Sequence, residues 1–393
     1  MKQVFDDVKV VDADSHYTPP HDMWVARAPA AFKELVPRVV EVGGSPTWIV
    51  GKDSTMGFAG GGGVIDRDGA KLPFAESMPI WGLDQVHRAA WDPVARLEVL
   101  DESGIHAQVL YPNAIGLGGD TLSNAIDDPA LRQVCIEIYN DAMAEIQDAS
   151  ANRLLPMPVM PAWDVEACVR EAERVAGLGL RGINMTSDPQ DLGAPDLANR
   201  AWDPFWAACS DLDMPVHFHI GASLTAMNFY GKYFWESQHE YTKPAIGGAM
   251  LFLGNARAVI NSILCGTFDR HPDLKMVSVE SGIGWIPFLL EAMDYEMFEN
   301  APAQYAQLQK APSEYFRSNW YATFWFERNH GNLQGLFDVV GEDNVMFETD
   351  FPHPTCLYPD PVAAVADAVS TLRPQTRRKL LGENAAALYR LDH

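Results

Sequence analysis

The chain has 393 residues, 47% hydrophobic and 21% charged, which is enough apolar material for a large buried core. A formal net charge of -24 argues against nucleic acid or an anionic membrane as the main partner, while leaving room for a small acid in a locally positive pocket. The five cysteines, Cys135, Cys168, Cys209, Cys265 and Cys356, are scattered without a C-x-x-C pair, which points to reduced thiols and a cytoplasmic protein.

The first ten residues, MKQVFDDVKV, lack the apolar run of a signal peptide, and the other apolar runs read as too short to span a bilayer. The stretch VKVVDADSH at 8–16 then predicts a strand over 8–11 that ends in polar residues. Alternation places Asp12, Asp14 and His16 on one side, with Ala13 and Ser15 opposite. A carboxylate and an imidazole two residues apart can ligate one cation; equally, they can be ordinary polar residues at a strand end. Residues 17–40 read as loop and short helix. Residues 43–79 are glycine-rich, with an unbroken glycine run at 60–63. That run lacks the G-K-[ST] ending of a phosphate loop. It reads as an insertion after the first strand, a flap over the site.

From residue 92 strands and helices alternate. A helix over 92–103, with apolar Val94, Leu97 and Leu100, is capped by Asp92 with Pro93 behind it. Strands follow at 107–111, 154–160, 182–185, 215–220, 275–279, 320–324 and 345–348, with helices at 129–149, 165–176, 203–211, 245–264, 286–298, 332–340 and 362–372 between and after them. Residues 377–391 read as closing helical turns. With 8–11 this makes eight strands, which predicts an α/β fold, a (β/α)8 TIM barrel forming a single domain over 1–393 with the 43–79 insertion.

In such a barrel, chemistry collects at the C-terminal ends of the strands. Asp14 and His16 stand at the first end. His217 and His219 share one face of the fifth strand. Glu280 ends the sixth, and Glu348, Asp350 and His353 stand at the eighth. Parallel strands are expected to be apolar, so charges gathered at their ends call for pairing or a shared cation.

Several short motifs then acquire a common meaning: residues 12–16, the stretch DESGIHAQVLYP at 101–112, 179–183, 212–219, FDRHPDLKMVSV at 268–279, TDFPH at 349–353 and GENAAAL at 382–388. In this order they resemble the amidohydrolase superfamily, in the branch containing 2-amino-3-carboxymuconate-6-semialdehyde decarboxylase and γ-resorcylate decarboxylase. The resemblance implies one divalent ion held by Asp14, His16, His219 and Asp350. Two nitrogens and two carboxylates suit zinc or manganese, with iron(II) also compatible. The branch usually has histidine where this chain has Glu280, so Glu280 is expected to act as acid, base or further ligand. His217 matches no ligand and is expected near the substrate or behind the metal. Arg181, Trp285 and His353 are candidate substrate contacts.

The expected function is a metal-dependent decarboxylase acting on a small aromatic or unsaturated carboxylic acid, with Asp350 or Glu280 passing the proton. The alternative is a hydrolase of a C–C, ester or amide bond using a metal-bound hydroxide. A non-catalytic scaffold is the third reading, which an intact ligand set opposes. The resemblance also implies a homodimer.

Overall fold

The strands are β1 (Val10–Asp12), β2 (His16–Tyr17), β3 (Arg38–Val42), β4 (Ser45–Val50), β5 (Ser54–Phe58), β6 (Ile105–Pro112), β7 (Leu154–Pro156), β8 (Ile183–Asn184), β9 (Val216–His219), β10 (Met276–Val279), β11 (Trp320–Phe324) and β12 (Val345–Phe347), those of the barrel being mostly short buried apolar runs. The computed structural model describes residues 8–77, 81–228, 235–328 and 331–392; residues 78 and 79 of the predicted flap lie outside them.

β6 pairs in parallel with β1, β2 and β7. A second parallel sheet runs β8-β9-β10-β11-β12. Main-chain bonds join the two sheets at both seams. Asn184 N donates to Pro158 O at 2.9 Å, and Ala13 N donates to Phe347 O at 2.8 Å. The ring of eight parallel strands closes through these bonds, and helices lie between successive strands outside it.

Alternation sorts the strand side chains into two cores. Val11, Ala13, Val109, Tyr111, Val277, Val279 and Met346 form one buried cluster together with Leu388 and Tyr389. The C-terminal turn therefore adds to the filling of the barrel. Outward residues such as Val10, Val216, Phe218 and Phe347 join the large cluster shared with the helices. Burying such side chains contributes about 1.5–3 kcal/mol each.

The helix Pro93–Ser103 starts as expected: Asp92 accepts from Val94 N and Ala95 N, and Gly104 ends it at φ 72. Its buried face differs from the expected stripe. Val94 is 63% exposed, while Ala95, Arg96 and Leu100 are buried. The helix read over 245–264 is two, Thr242–Leu251 and Ala256–Leu264. By length and composition alone Thr242–Leu264 is apolar enough to cross a membrane, contrary to the expectation for apolar runs. In the fold, however, Ala258, Val259 and Ile263 pack into the barrel's outer core.

The insertion and the residues just before it contain unpredicted structure. β3, β4 and β5 form an antiparallel sheet. After β5 the glycine run returns to the barrel, where Val64 N donates to Pro352 O at 3.0 Å. Gly61 and Gly62 have φ of +60 and +76, a region that side chains with a Cβ avoid. A Cβ on Gly61 would lie 2.3 Å from Thr18 Oγ1, and one on Gly62 would lie 3.3 Å from His353 Nε2. Main chain thus packs directly beside the end of β12.

Candidate metal centre

β1 stops at Asp12 and β2 resumes at His16. The break corrects the expectation that Asp12, Asp14 and His16 share one side. Asp12 turns away from the other two: it accepts from Gln108 Nε2 and Thr349 Oγ1, both at 2.6 Å, and from Thr349 N at 2.8 Å. Burial pushes its carboxyl up to about 6. Arg96, also buried, joins this brace by donating to Gln108 Oε1 at 2.8 Å and to His16 O at 2.6 Å. Asp12 and Arg96 therefore hold the strand end while Asp14 and His16 enter the barrel mouth.

There four strand ends meet. One ligand atom each from Asp14, His16, His219 and Glu280 lie within 4.8 Å of one another, as do those from His16, Glu280, Asp350 and His353. His219 Nε2 is 3.6 Å from Asp14 Oδ1 and 3.2 Å from Glu280 Oε2. His16 Nε2 is 3.7 Å from Asp14 Oδ1 and 3.4 Å from Asp350 Oδ1. His219 Nδ1 lies 2.9 Å from Ile220 O; donating that proton leaves the Nε2 lone pair facing the cluster. Asp350 accepts from Thr355 Oγ1 at 2.6 Å and lies 3.2 Å from His353 Nδ1. His353 stacks on His16 with ring centroids 3.6 Å apart.

The electrostatics suit a cation. Burial, then the neighbouring Asp350 and Asp12, holds the Asp14 carboxyl well above its usual range. Burial, then Asp350 and Asp14, does the same to Glu280. Burial pushes His16 well below the usual imidazole value, with His353 adding to it, and pushes His219 down to about 4. Burial also opposes ionisation of Asp350, but His353 and His16 outweigh it and hold its pKa low. Both Asp14 oxygens, His16 Nε2 and His219 Nε2 are buried without a hydrogen bond among the described residues. Such orphaned atoms are costly unless something positive satisfies them. Two imidazoles and several carboxylates form a donor set fitted to one divalent ion.

The other expected residues fall elsewhere. His217 is on the inner face, but its ring is engaged on both sides, with Nδ1 3.0 Å from Ile183 O and Nε2 3.1 Å from the Tyr389 hydroxyl. Burial lowers it to about 3. Both ring nitrogens are thus taken up by protein partners, which is the geometry of a residue behind the cluster. Arg181 precedes β8 and bonds the carbonyls of Tyr389 and Arg390 at 3.0 and 2.5 Å. It precedes the strand rather than following it, and these bonds are those of a packing role beside β8, the alternative to contact with a substrate. Trp285 donates to Ser281 O at 3.0 Å within the turn after Glu280. Glu348 is wholly buried, with Asp14 and Asp350 both acting to raise its carboxyl after the larger effect of burial.

Some participants were not anticipated. Asn113 Oδ1 is 2.8 Å from His353 Nε2, and its amide donates to Thr18 at 3.1 Å. Asn113 stands at the end of β6, a strand end that sequence reading passed over because no charge marks it.

The chain belongs to the amidohydrolase family, which matches residues 11–391, and is an enzyme of that kind. It is 27% identical over 307 residues to the γ-resorcylate decarboxylase of Rhodococcus jostii (strain RHA1), covering 76% of this chain and 87% of that one. An amidohydrolase structure from Mycobacterium avium subsp. paratuberculosis K-10 matches with a TM-score of 0.74 at 22% identity, covering 98% of this chain and 99% of that one. The 5-carboxyvanillate decarboxylase of Novosphingobium aromaticivorans DSM 12444, solved with manganese and 4-hydroxy-3-methoxy-5-nitrobenzoic acid, matches with a TM-score of 0.62 at 22% identity, over 77% of this chain and 82% of that one.

Proposed function

We propose that this protein is a metal-dependent carboxy-lyase that removes CO2 from a small aromatic or unsaturated carboxylic acid. The observation that carries this is the gathering of Asp14, His16, His219 and Glu280 at one mouth, with Asp350 joining through His16 and Glu280, and with donor atoms buried without a hydrogen bond among the described residues. The decarboxylase activity of the Rhodococcus relative supports the reaction class, and the manganese of the Novosphingobium enzyme supports that ion over zinc. In this reading Asp14, His16, His219 and Asp350 hold the ion, with Glu280 beside it. A divalent ion there supplies positive charge that holds the acid's carboxylate or adjacent hydroxyl and stabilises developing negative charge.

The remaining work falls to side chains with access to the mouth. The side chains of Asp14, His16, His219 and Asp350 have no exposure, whereas Glu280 shows 10% and His353 13%. Glu280 delivers the proton to the carbon that loses CO2: the C–C bond breaks, its electron pair stays on that carbon, and the proton takes that pair. His353, braced by Asn113, and Trp285 line the approach. The 43–79 insertion acts as a flap whose glycine turn rests against His353, all within one domain.

We further assign the protein to the cytoplasm as a homodimer. Five unpaired thiols support the compartment. Phe288, Tyr295 and Phe298, exposed on the helix Ile286–Asn300, support a self-contact.

The deciding experiment incubates the manganese-loaded enzyme with a panel of hydroxybenzoates in water enriched in 18O. A lyase releases CO2 and leaves no solvent oxygen in the aromatic product. Solvent oxygen in the organic product would establish the hydrolase reading instead.

A further inference from the structure

Glu280 sits in an unusual backbone position. Its φ is 56, a left-handed conformation that costs a residue with a Cβ on the order of 1–3 kcal/mol. Something must hold it there, and the segment after Glu280 shows what does. Glu327, three residues beyond β11, accepts with one carboxylate oxygen from Ile283 N at 2.5 Å and from Gly284 N at 2.8 Å. Thr323, inside β11, accepts from Glu280 N at 3.0 Å. The turn is thus gripped at both ends by one neighbouring strand and its extension.

The sequence of the turn fits this grip. Gly282 has φ +66, and a Cβ there would lie 2.5 Å from Glu327 Oε1 and 2.8 Å from the Phe326 ring. Only glycine lets the carboxylate come so close. The two amides also stand just ahead of the helix Ile286–Asn300, where its dipole favours a negative group. Charge-assisted bonds of this kind are roughly twice as strong as neutral ones.

We propose that Glu327 is a positioning residue for Glu280, fixing the turn so that the Glu280 carboxylate stays 3.2 Å from His219 Nε2 as part of the ion's surroundings. The inference rests on the metal reading given above. Glu327 acts through the main chain of the turn, by accepting from Ile283 N and Gly284 N.

Manganese(II) affinity, measured by isothermal titration on the full-length protein, tests this with variants alone and combined. Removing a group that orients a ligand typically weakens metal binding about 10–100-fold. Glu327→Ala is expected to weaken manganese by about tenfold. Glu327→Gln, whose amide oxygen accepts the same two N–H groups, is expected to restore most of that. In a Glu280→Ala background, Glu327→Ala is expected to change affinity by less than about twofold, because the group it positions is gone. Should Glu327→Ala not fold, Thr323→Val removes the other grip at near-equal volume and carries the same expectation of coupling.

An equal loss in both backgrounds would overturn the positioning role and leave general destabilisation. Unchanged affinity in Glu280→Ala would overturn the placing of Glu280 beside the ion. Failure of the wild-type protein to bind manganese is a separate result: it would sink the metal reading itself.

Discussion

His219 Nε2 and Glu280 Oε2 lie 3.2 Å apart, at the ends of neighbouring strands paired in register from Val216↔Met276 to His219↔Val279. The pairing brings an imidazole and a carboxylate together from two separate segments. Glu280→Gln keeps the shape and removes the acid. If Glu280 passes the proton, CO2 release should fall about a hundredfold or more, with manganese still bound. Activity at the wild-type level would remove Glu280 from the chemistry.

Removing the ion should abolish turnover and loosen the fold together. Chelation followed by dialysis is expected to eliminate CO2 release, and manganese to restore it. At a hundredfold excess over its Kd, a ligand specific for the folded state adds about 2.7 kcal/mol, so thermal unfolding should shift upward on adding manganese. Asp14→Asn should lose most of that shift, since both oxygens of Asp14 are buried without a hydrogen bond among the described residues. An equal shift in wild type and variant would place the ion elsewhere.

The barrel is legible in the sequence because each strand is a short apolar run and each helix a longer periodic one. The cluster is legible because charged residues follow apolar strands, where only a shared task explains them. What escapes depends on partners far away in the chain. Arg96 braces Gln108 and the carbonyl of His16, yet in sequence it is one arginine within a helix. Glu327 grips amides 44 and 43 residues away. Asp12 is misread because alternation fails where β1 breaks before β2. Arg181 pairs with the carbonyls of Tyr389 and Arg390 because it lies ahead of its strand, and position along the strand decides which end of the barrel a residue serves. The sheet of β3, β4 and β5 goes unread because no residue of Arg38–Val42 is buried, Ser54–Phe58 is mostly exposed, and neither shows a sustained apolar period.

The glycines of the chain should divide sharply by position. Gly62→Ala forces a Cβ at φ +76 to within 3.3 Å of His353 Nε2. The backbone strain alone costs about 1–2 kcal/mol, and the contact pushes on a ring stacked against His16. Both unfolding stability and turnover should fall. Gly248→Ala lies within the helix Thr242–Leu251 with nothing within 4 Å of the added carbon. Alanine there should stabilise by about 0.5–1 kcal/mol and leave turnover unchanged. Chemical denaturation and CO2 assays on the pair check both statements.

Asp120 offers a pH signature away from the cluster. It opens the helix Asp120–Ala125, is 7% exposed, and burial pushes its carboxyl from 3.8 up to about 6 despite a bond from Gly118 N. Between these two values the folded state binds more protons than the unfolded one. Stability attributable to this group therefore rises as pH falls from about 6 towards 3.8, and above pH 6 the charged form costs the fold. By the conversion of about 1.4 kcal/mol per pKa unit, the cost at neutral pH is on the order of 2–3 kcal/mol. Asp120→Asn, which carries no charge at any pH, should be more stable than wild type at pH 7. Its advantage should shrink steadily on acidification and vanish near the pKa of the unfolded carboxyl. Urea unfolding of both proteins across that range reads the difference directly; a gap that stays constant with pH would show that Asp120 is ionised as readily in the fold as outside it.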